Sequence, residues 1–141
     1  MTDEEIQKRI KLDEGYRGNV YLDSQGIPTV GWGHALLHGS PITLEIAELL
    51  FEMDWNEAVK GYNSYVAKHG ILLNTVRRGV IINMIYNMGL SNLRGFKKMT
   101  RCLIKEDYEG AADQMLDSLW AQQVKRRANR LAQMMRTGEL P

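Results

Sequence analysis

Covalent restraints and membrane anchors are nearly absent from this sequence. Cys102 is the only cysteine in 141 residues, so no intrachain disulfide can form. That excludes a disulfide-stapled scaffold and is compatible with synthesis in a reducing cytoplasm. No apolar run is long enough to span a membrane, so no stable membrane insertion is expected. The opening MTDEEIQKRI is charged where a secretory signal carries its apolar segment, so export is expected to depend on outside help. There is no internal repeat, no low-complexity tract and no Pro/Ser-rich linker, and the chain reads as one continuous unit. Net charge is only +1, yet it is unevenly spread. Eleven of 17 acidic residues lie at or before Glu57, and ten of 18 basic ones at or after Arg94. A basic C-terminal half attracts polyanions such as nucleic acid, acidic lipid or an anionic wall polymer, and charge alone does not choose among them.

What is present suits a globular domain. Hydrophobic content of 44% and charged content of 25% are ordinary, and this length can bury a core unaided. Thr2 followed by Glu5 forms a capping box, and Ile6 and Ile10 share one face, so a first helix is predicted over about 3–13. It must stop near Gly15, which leaves Glu14 at its C-terminal end. A carboxylate there faces the negative end of the helix dipole, which favours the protonated form that a general acid needs.

The periodicity then changes. Val20-Tyr21-Leu22 is a short β-prone run, Asp23-Ser24-Gln25-Gly26 a turn, and Thr29-Val30-Gly31-Trp32 a second strand opened by Pro28. This hairpin is the one β element the pattern predicts. Gly31, Gly33 and Gly39 allow close backbone approach or unusual dihedrals. The stretch from Leu12 to His34 therefore carries one carboxylic acid, Glu14, a second, Asp23, and a hydroxyl, Thr29. Two carboxylates on different elements, where a helix runs into a hairpin, suit acid/base cleavage of a glycosidic bond.

Beyond Thr43 the reading is helical. Thr43 caps a long helix that ends near Gly70, with Ile46, Leu49, Leu50, Met53 and Val59 spaced as a buried face. Asn74 caps the next, whose apolar run Val80, Ile81, Ile82, Met84, Ile85, Met88 places it at the centre of the core, ended by Gly89. Short helices follow, broken near Gly95, Asp107 and Trp120, then a basic helix from about Val124 to Arg136.

These segments resemble the phage-type lysozymes, the endolysin muramidases of tailed phages and prophages. LDEGYR is similar to that family's helix end around its catalytic Glu, and VYLDSQGIPTVGWGH to the hairpin that carries its catalytic Asp and Thr. VRRGVIINMIYNMG is similar to its central helix, and LWAQQVKRRANRLAQMMRTGEL to its C-terminal end. The resemblance implies an α+β, mostly helical fold: a single two-lobed lysozyme-like domain over 1–141, with a small β-hairpin lobe at about 15–42. The helical lobe would span about 43–141 together with the N-terminal helix. It also implies a muramidase that cleaves the β-1,4 bond between N-acetylmuramic acid and N-acetylglucosamine with inversion. Glu14 then matches the proton donor, Asp23 the second carboxylate and Thr29 the hydroxyl that helps hold water. Arg127 falls where the family sets an arginine against the Glu, and His34 and Asp54 match a structural ion pair. Tyr86, Met99 and Gln114 align with sugar-contacting positions and Ala35 with a backbone contact, although Met99 stands where a polar residue belongs. Only Ala35 to Ile42 separates hairpin from long helix, whereas longer members insert a third strand and a short helix there. The implied setting is a monomer made without a signal peptide in the host cytoplasm. It would act on bacterial peptidoglycan once the membrane is permeabilised, with no cofactor.

Simpler readings compete at each position. Asp23 in a tight turn also serves an Asx-turn, and Thr29 also favours a strand. His34 and His38 have helical metal-pair spacing, but the flanking glycines oppose a helix and no third ligand is near, so no metal is expected. The methionines Met84, Met88, Met134 and Met135 read as core filler. Trp32, Trp55 and Trp120 can stack on sugars, with packing favoured for Trp55. Lys125, Arg126, Arg127 and Arg130 lack a nucleic-acid docking module around them, so no nucleic-acid partner is expected and attraction to an anionic wall is preferred. Rival functions are a lytic transglycosylase, which needs no Asp23 or Thr29 to hold water, and a non-catalytic wall-binding domain.

Overall fold

A computed structural model describes residues 1–141 as two compact units, Met1–Leu44 and Glu45–Pro141. The first opens with α1, Asp3–Glu14. Thr2 and Glu5 close the expected capping box, with Thr2 Oγ1 accepting from the Glu5 N–H at 3.2 Å and Glu5 Oε2 from the Thr2 N–H at 2.8 Å. Gly15 stops the helix at φ 72°. A three-stranded antiparallel sheet follows: β1 Arg17–Leu22, β2 Pro28–Gly31 and β3 His34–Ala35. Tyr21 and Leu22 face Thr29 and Pro28 across β1–β2, with a bulge between Arg17 and Tyr21. Thr29 and Val30 face Ala35 and His34 across β2–β3.

The third strand corrects the expectation of a lone hairpin. Two residues are too few to show a period of two, so β3 leaves no trace in the pattern. It exists because Gly31 and Gly33 take φ 70° and 75° and fold the chain back onto β2.

The second unit contains α2 Leu44–His69, α3 Thr75–Met88, α4 Leu90–Arg94, α5 Lys97–Ile104, α6 Tyr108–Leu116, α7 Leu119–Gln123 and α8 Lys125–Thr137. None of these helices is long and apolar enough to cross a membrane. α3 is the hub, with Val80, Ile81, Ile82, Met84 and Ile85 all buried. Burying each such side chain contributes about 1.5–3 kcal/mol. Met84, Met99, Met115 and Met135 are wholly buried around it, and Met88 and Met134 pack against that core, the filler role expected of methionine. Trp120 is buried, donates through Nε1 to Asn87 Oδ1 at 2.7 Å and sits edge-on to Phe96. The break expected near Trp120 falls just before it, where Ser118 caps α7 by accepting from the Ala121 N–H.

α2 departs from its expected burial. Ala58, Gly61, Tyr62 and Tyr65 are its buried residues, whereas Ile46, Leu49, Leu50 and Met53 are exposed, as is Trp55. The apolar stripe is real, but the core of this unit reaches only the second half of the helix. Periodicity reports which residues share a face and not how far the partner surface extends. Tyr65 fastens that half to α5, its hydroxyl 2.6 Å from Thr100 Oγ1. Burial raises the Tyr65 phenol above its ordinary value and outweighs the opposing hydrogen bond with Thr100, so the hydroxyl stays protonated.

The C-terminal helix is locked by a device that local sequence does not reveal. Asn74 Oδ1 accepts from the Arg77 N–H at 2.9 Å as the expected cap of α3, and its Nδ2 donates to the Gly138 carbonyl at 3.1 Å. Arg77 donates from Nε to the Met135 carbonyl at 2.7 Å and from its guanidinium to the Arg136 carbonyl at 3.2 Å, with its charge over the Tyr108 ring. A cation thus satisfies the orphan carbonyls at the negative end of α8. Arg77→Met should keep the packing of the side-chain stem but lose these bonds, at a cost of about 2 kcal/mol and a Tm lower by roughly 5–10 °C. A melt unchanged from wild type would show that water replaces them fully.

Candidate active site

Glu14 is the last residue of α1, held there because Gly15 adopts a backbone closed to most side chains and returns its N–H to the Lys11 carbonyl at 2.9 Å. The Glu14 side chain lies against the β2–β3 turn. A Cβ built on Gly33 would stand 2.5 Å from Glu14 Oε2 and 3.0 Å from its carboxyl carbon. Gly33 also has φ 75°, so both its conformation and the carboxyl beside it require glycine. The Tyr16 and Trp32 rings meet 5.0 Å apart, with Lys11 Nζ 4.5 Å from the Trp32 centroid. This contact joins the residues that follow Glu14 to those that precede Gly33, and it was not foreseen from the sequence, where Tyr16 and Trp32 lie far apart. Within this unit Glu14 is exposed.

Gly33→Ala combines a strained φ of about 1–2 kcal/mol with eviction of the carboxyl from its seat. The expected result is a folded protein whose kcat falls by roughly 10- to 100-fold, since a displacement of about 1 Å has that scale of effect on a reacting group. Steady-state rates beside a thermal melt would check it, and an unaltered kcat would show that this seat is not the working position of Glu14.

Asp23 sits at the β1–β2 turn. Its Oδ1 accepts from the Gln25 N–H at 2.8 Å and the Ile27 N–H at 2.9 Å. The structural Asx-turn role weighed against catalysis is thus present, and because both bonds end on Oδ1 it leaves Oδ2 for water. Thr29 is buried and donates from Oγ1 to the Ile27 carbonyl at 2.8 Å. With its proton committed, that hydroxyl offers only lone pairs to a neighbour, the state in which it accepts from a water O–H. The Ile27 carbonyl also accepts from the Asp23 N–H at 3.0 Å. One carbonyl therefore ties the Asp23 backbone to the Thr29 side chain, while the N–H of the same residue holds the Asp23 carboxylate, a role unreadable at an apolar residue. Ala35 lies in β3 opposite Thr29, and His34 is beside it, opposite Val30.

The remaining candidates belong to the second unit. Arg127 on α8 donates from Nε to Asn83 Oδ1 at 2.7 Å and makes a longer contact, 3.4 Å, with the Asn83 carbonyl. Asn83 was missed from the sequence, although a lone amide inside the apolar run VIINMI was the available signal. Arg127 and Tyr86 line one cavity of about 260 Å³ with Trp55 and Phe51, whose ring is 5.5 Å from that of Tyr86. Tyr86 also lines a cavity of about 490 Å³ that includes Asp54. Met99 and Gln114 share a third, of about 410 Å³. Met99 is 0% exposed, so its side chain serves as packing and a sugar contact from it would need neighbouring side chains to move.

The first unit thus brings together Glu14, Asp23, Thr29, His34 and Ala35. The second pairs Tyr86 with Arg127 and with Asp54, and Met99 with Gln114.

A family model described as Phage lysozyme matches residues 11–136. A probable T4-type lysozyme 1 of Dictyostelium discoideum is 29% identical over 96% of this chain and 95% of its own length. The endolysin of Salmonella phage P22 is 33% identical over 79% of this chain and 77% of its own. The pre-baseplate central spike protein Gp5 of Enterobacteria phage T4 is 32% identical over 96% of this chain, which spans 28% of that longer protein.

Proposed function

The chain belongs to the phage lysozyme family, glycoside hydrolases of peptidoglycan, and from that premise we propose that it is an inverting muramidase. In this reading Glu14 gives its proton to the bridging oxygen between N-acetylmuramic acid and N-acetylglucosamine. Asp23, ionised, orients a water and steadies the oxocarbenium-like transition state, and Thr29 accepts one of that water's hydrogen bonds. Water then attacks the face opposite the departing sugar and gives up a proton to the Asp23 carboxylate, and the bond it forms replaces the glycosidic bond with the anomeric configuration reversed. Arg127, set by Asn83, is proposed to orient the Glu14 carboxyl, and His34 and Asp54 to form an ion pair. Tyr86, Gln114 and the Ala35 backbone are proposed to meet the sugars. The enzyme is proposed to work as a monomer and to reach the wall after membrane permeabilisation.

One observation carries the reading. Glu14, Asp23 and Thr29 sit on a single small unit, with Glu14 seated on the β2–β3 turn while Thr29 and the Asp23 turn both bond to Ile27. Mass spectrometry of digested peptidoglycan tests it. Hydrolysis leaves reducing muramic ends, 1,6-anhydro ends would indicate a transglycosylase, and no new ends would leave only a binding domain. Proton NMR of the first product formed distinguishes inversion from retention.

A further inference from the structure

The three tryptophans able to stack on sugars divide once the chain is folded. Trp120 is buried with its indole N–H bonded to Asn87, and Trp55 lines the cavity of Arg127 and Tyr86. Trp32 is 48% exposed and borders a hollow of about 500 Å³ in the first unit, which none of Glu14, Asp23 or Thr29 lines. The hollow is completed by Tyr16 and by Glu4, Gln7, Lys8 and Lys11 of α1, among others. Tyr16 is 67% exposed, yet its ring is held on two sides. The Trp32 ring lies 5.0 Å away on one, and Gly18 lies on the other, where a Cβ would stand 3.3 Å from the phenol oxygen. Lys11 Nζ over the Trp32 ring, 4.5 Å from its centroid, steadies the second aromatic. Neither ring joins the buried core. Aromatic surface left in water contributes nothing to folding through burial, and here it is both exposed and fixed in orientation.

We propose that this hollow is a second glycan site, which takes N-acetylhexosamine rings of a wall strand other than the one being cleaved. A pyranose ring offers an apolar C–H face, and a Tyr/Trp pair meets it with a large, rigid contact at little cost in side-chain entropy. The rim on α1 supplies the polar complement. The Gln7 amide both donates and accepts, as an acetamido group does, while Glu4 accepts from hydroxyls and Lys8 donates. Neither charge is spent in an ion pair, since the salt bridges of this protein both belong to Arg136. A volume of about 500 Å³ falls within the roughly 300–1,000 Å³ of small-ligand sites. Lys11 already occupies the ring face that a cationic ligand would need, and one carboxylate among two ammonium groups suits a neutral or singly anionic sugar. The choice of N-acetylhexosamine rests on the muramidase reading; the aromatic platform and its polar rim do not.

Nuclear magnetic resonance tests this with N,N′-diacetylchitobiose as the probe and isotope-labelled Glu14→Gln protein, so that the disaccharide stays intact. The Trp32 indole N–H and the Gln7 side-chain amide are the reporters. Gln7 lies about 10 Å along α1 from residue 14, so its amide reports on the hollow apart from the acid. Both signals should shift together and saturate. Adding Tyr16→Ala should weaken that binding about tenfold through lost stacking, whereas Tyr16→Phe should retain it. Gln7→Ala, which leaves both rings untouched, should weaken it about threefold, the scale of one hydrogen bond. Reporters that stay still, with or without shifts elsewhere in the protein, overturn the proposal, as does unchanged affinity in Tyr16→Ala or Gln7→Ala. Movement of the same signals on diluting the protein without sugar also overturns it, because a second copy of the chain then fills the hollow. Failure of the muramidase reading registers separately, as an absence of new reducing muramic ends from peptidoglycan treated with wild type.

Discussion

Replacing Glu14 by Gln should lower the release of reducing ends from purified peptidoglycan by about 10²–10⁴-fold, the range that a positioned general acid contributes. Glutamine keeps the length and planar end of the side chain that rests on Gly33, so the seat is preserved and only the transferable proton is lost. The fold should not suffer. Glu14 ends α1 and is exposed, where a carboxylate faces the negative pole of the helix, so its removal should leave Tm unchanged or slightly raised. The paired measurements decide the matter: a normal rate would remove Glu14 as the acid, and a collapsed melt would mean that the residue is structural.

Asp23→Asn separates the turn role of Asp23 from the catalytic role proposed for it. Asparagine retains the oxygen that accepts from the Gln25 and Ile27 N–H groups, so the β1–β2 turn and the placement of Thr29 through the Ile27 peptide should survive. The negative charge does not. With nothing to steady the developing cation or to draw on the water, kcat should fall by roughly 10²–10³-fold while KM moves little. Asp23→Ala should show the same loss of turnover together with a lower Tm, because two turn N–H groups then lose their acceptor, at about 1 kcal/mol each. If the asparagine variant turns over normally, Asp23 only builds the turn.

Much of the site was legible because its parts are announced by neighbours in the chain. Glu14 stands out because Gly15 must end the helix there, and Asp23 because the tight turn before Thr29 demands such a residue. What was not legible are the contacts that give those groups their positions. Gly33 was recognisable as a glycine permitting close approach, but the group that approaches is Glu14, from another element. Arg127 was named for its place in the motif, while the amide that orients it, Asn83, lies 44 residues earlier on α3. Met99 is the converse case, a position matched by alignment whose side chain proves to be wholly buried.

The sequence by itself determined where the elements begin and stop. The Thr2–Glu5 box, the Asn74 cap, the stops at Gly15 and Gly89 and the apolar circumference of α3 are each written within a few residues, because capping and hydrogen-bonded turns act over a few residues. Tertiary structure alone decided how far the apolar stripe of α2 is buried, whether a two-residue strand would pair with β2, and how Arg77 came to close the end of α8. Each of these depends on the surface that a distant segment presents, and one-dimensional spacing has no term for a partner that only folding brings near.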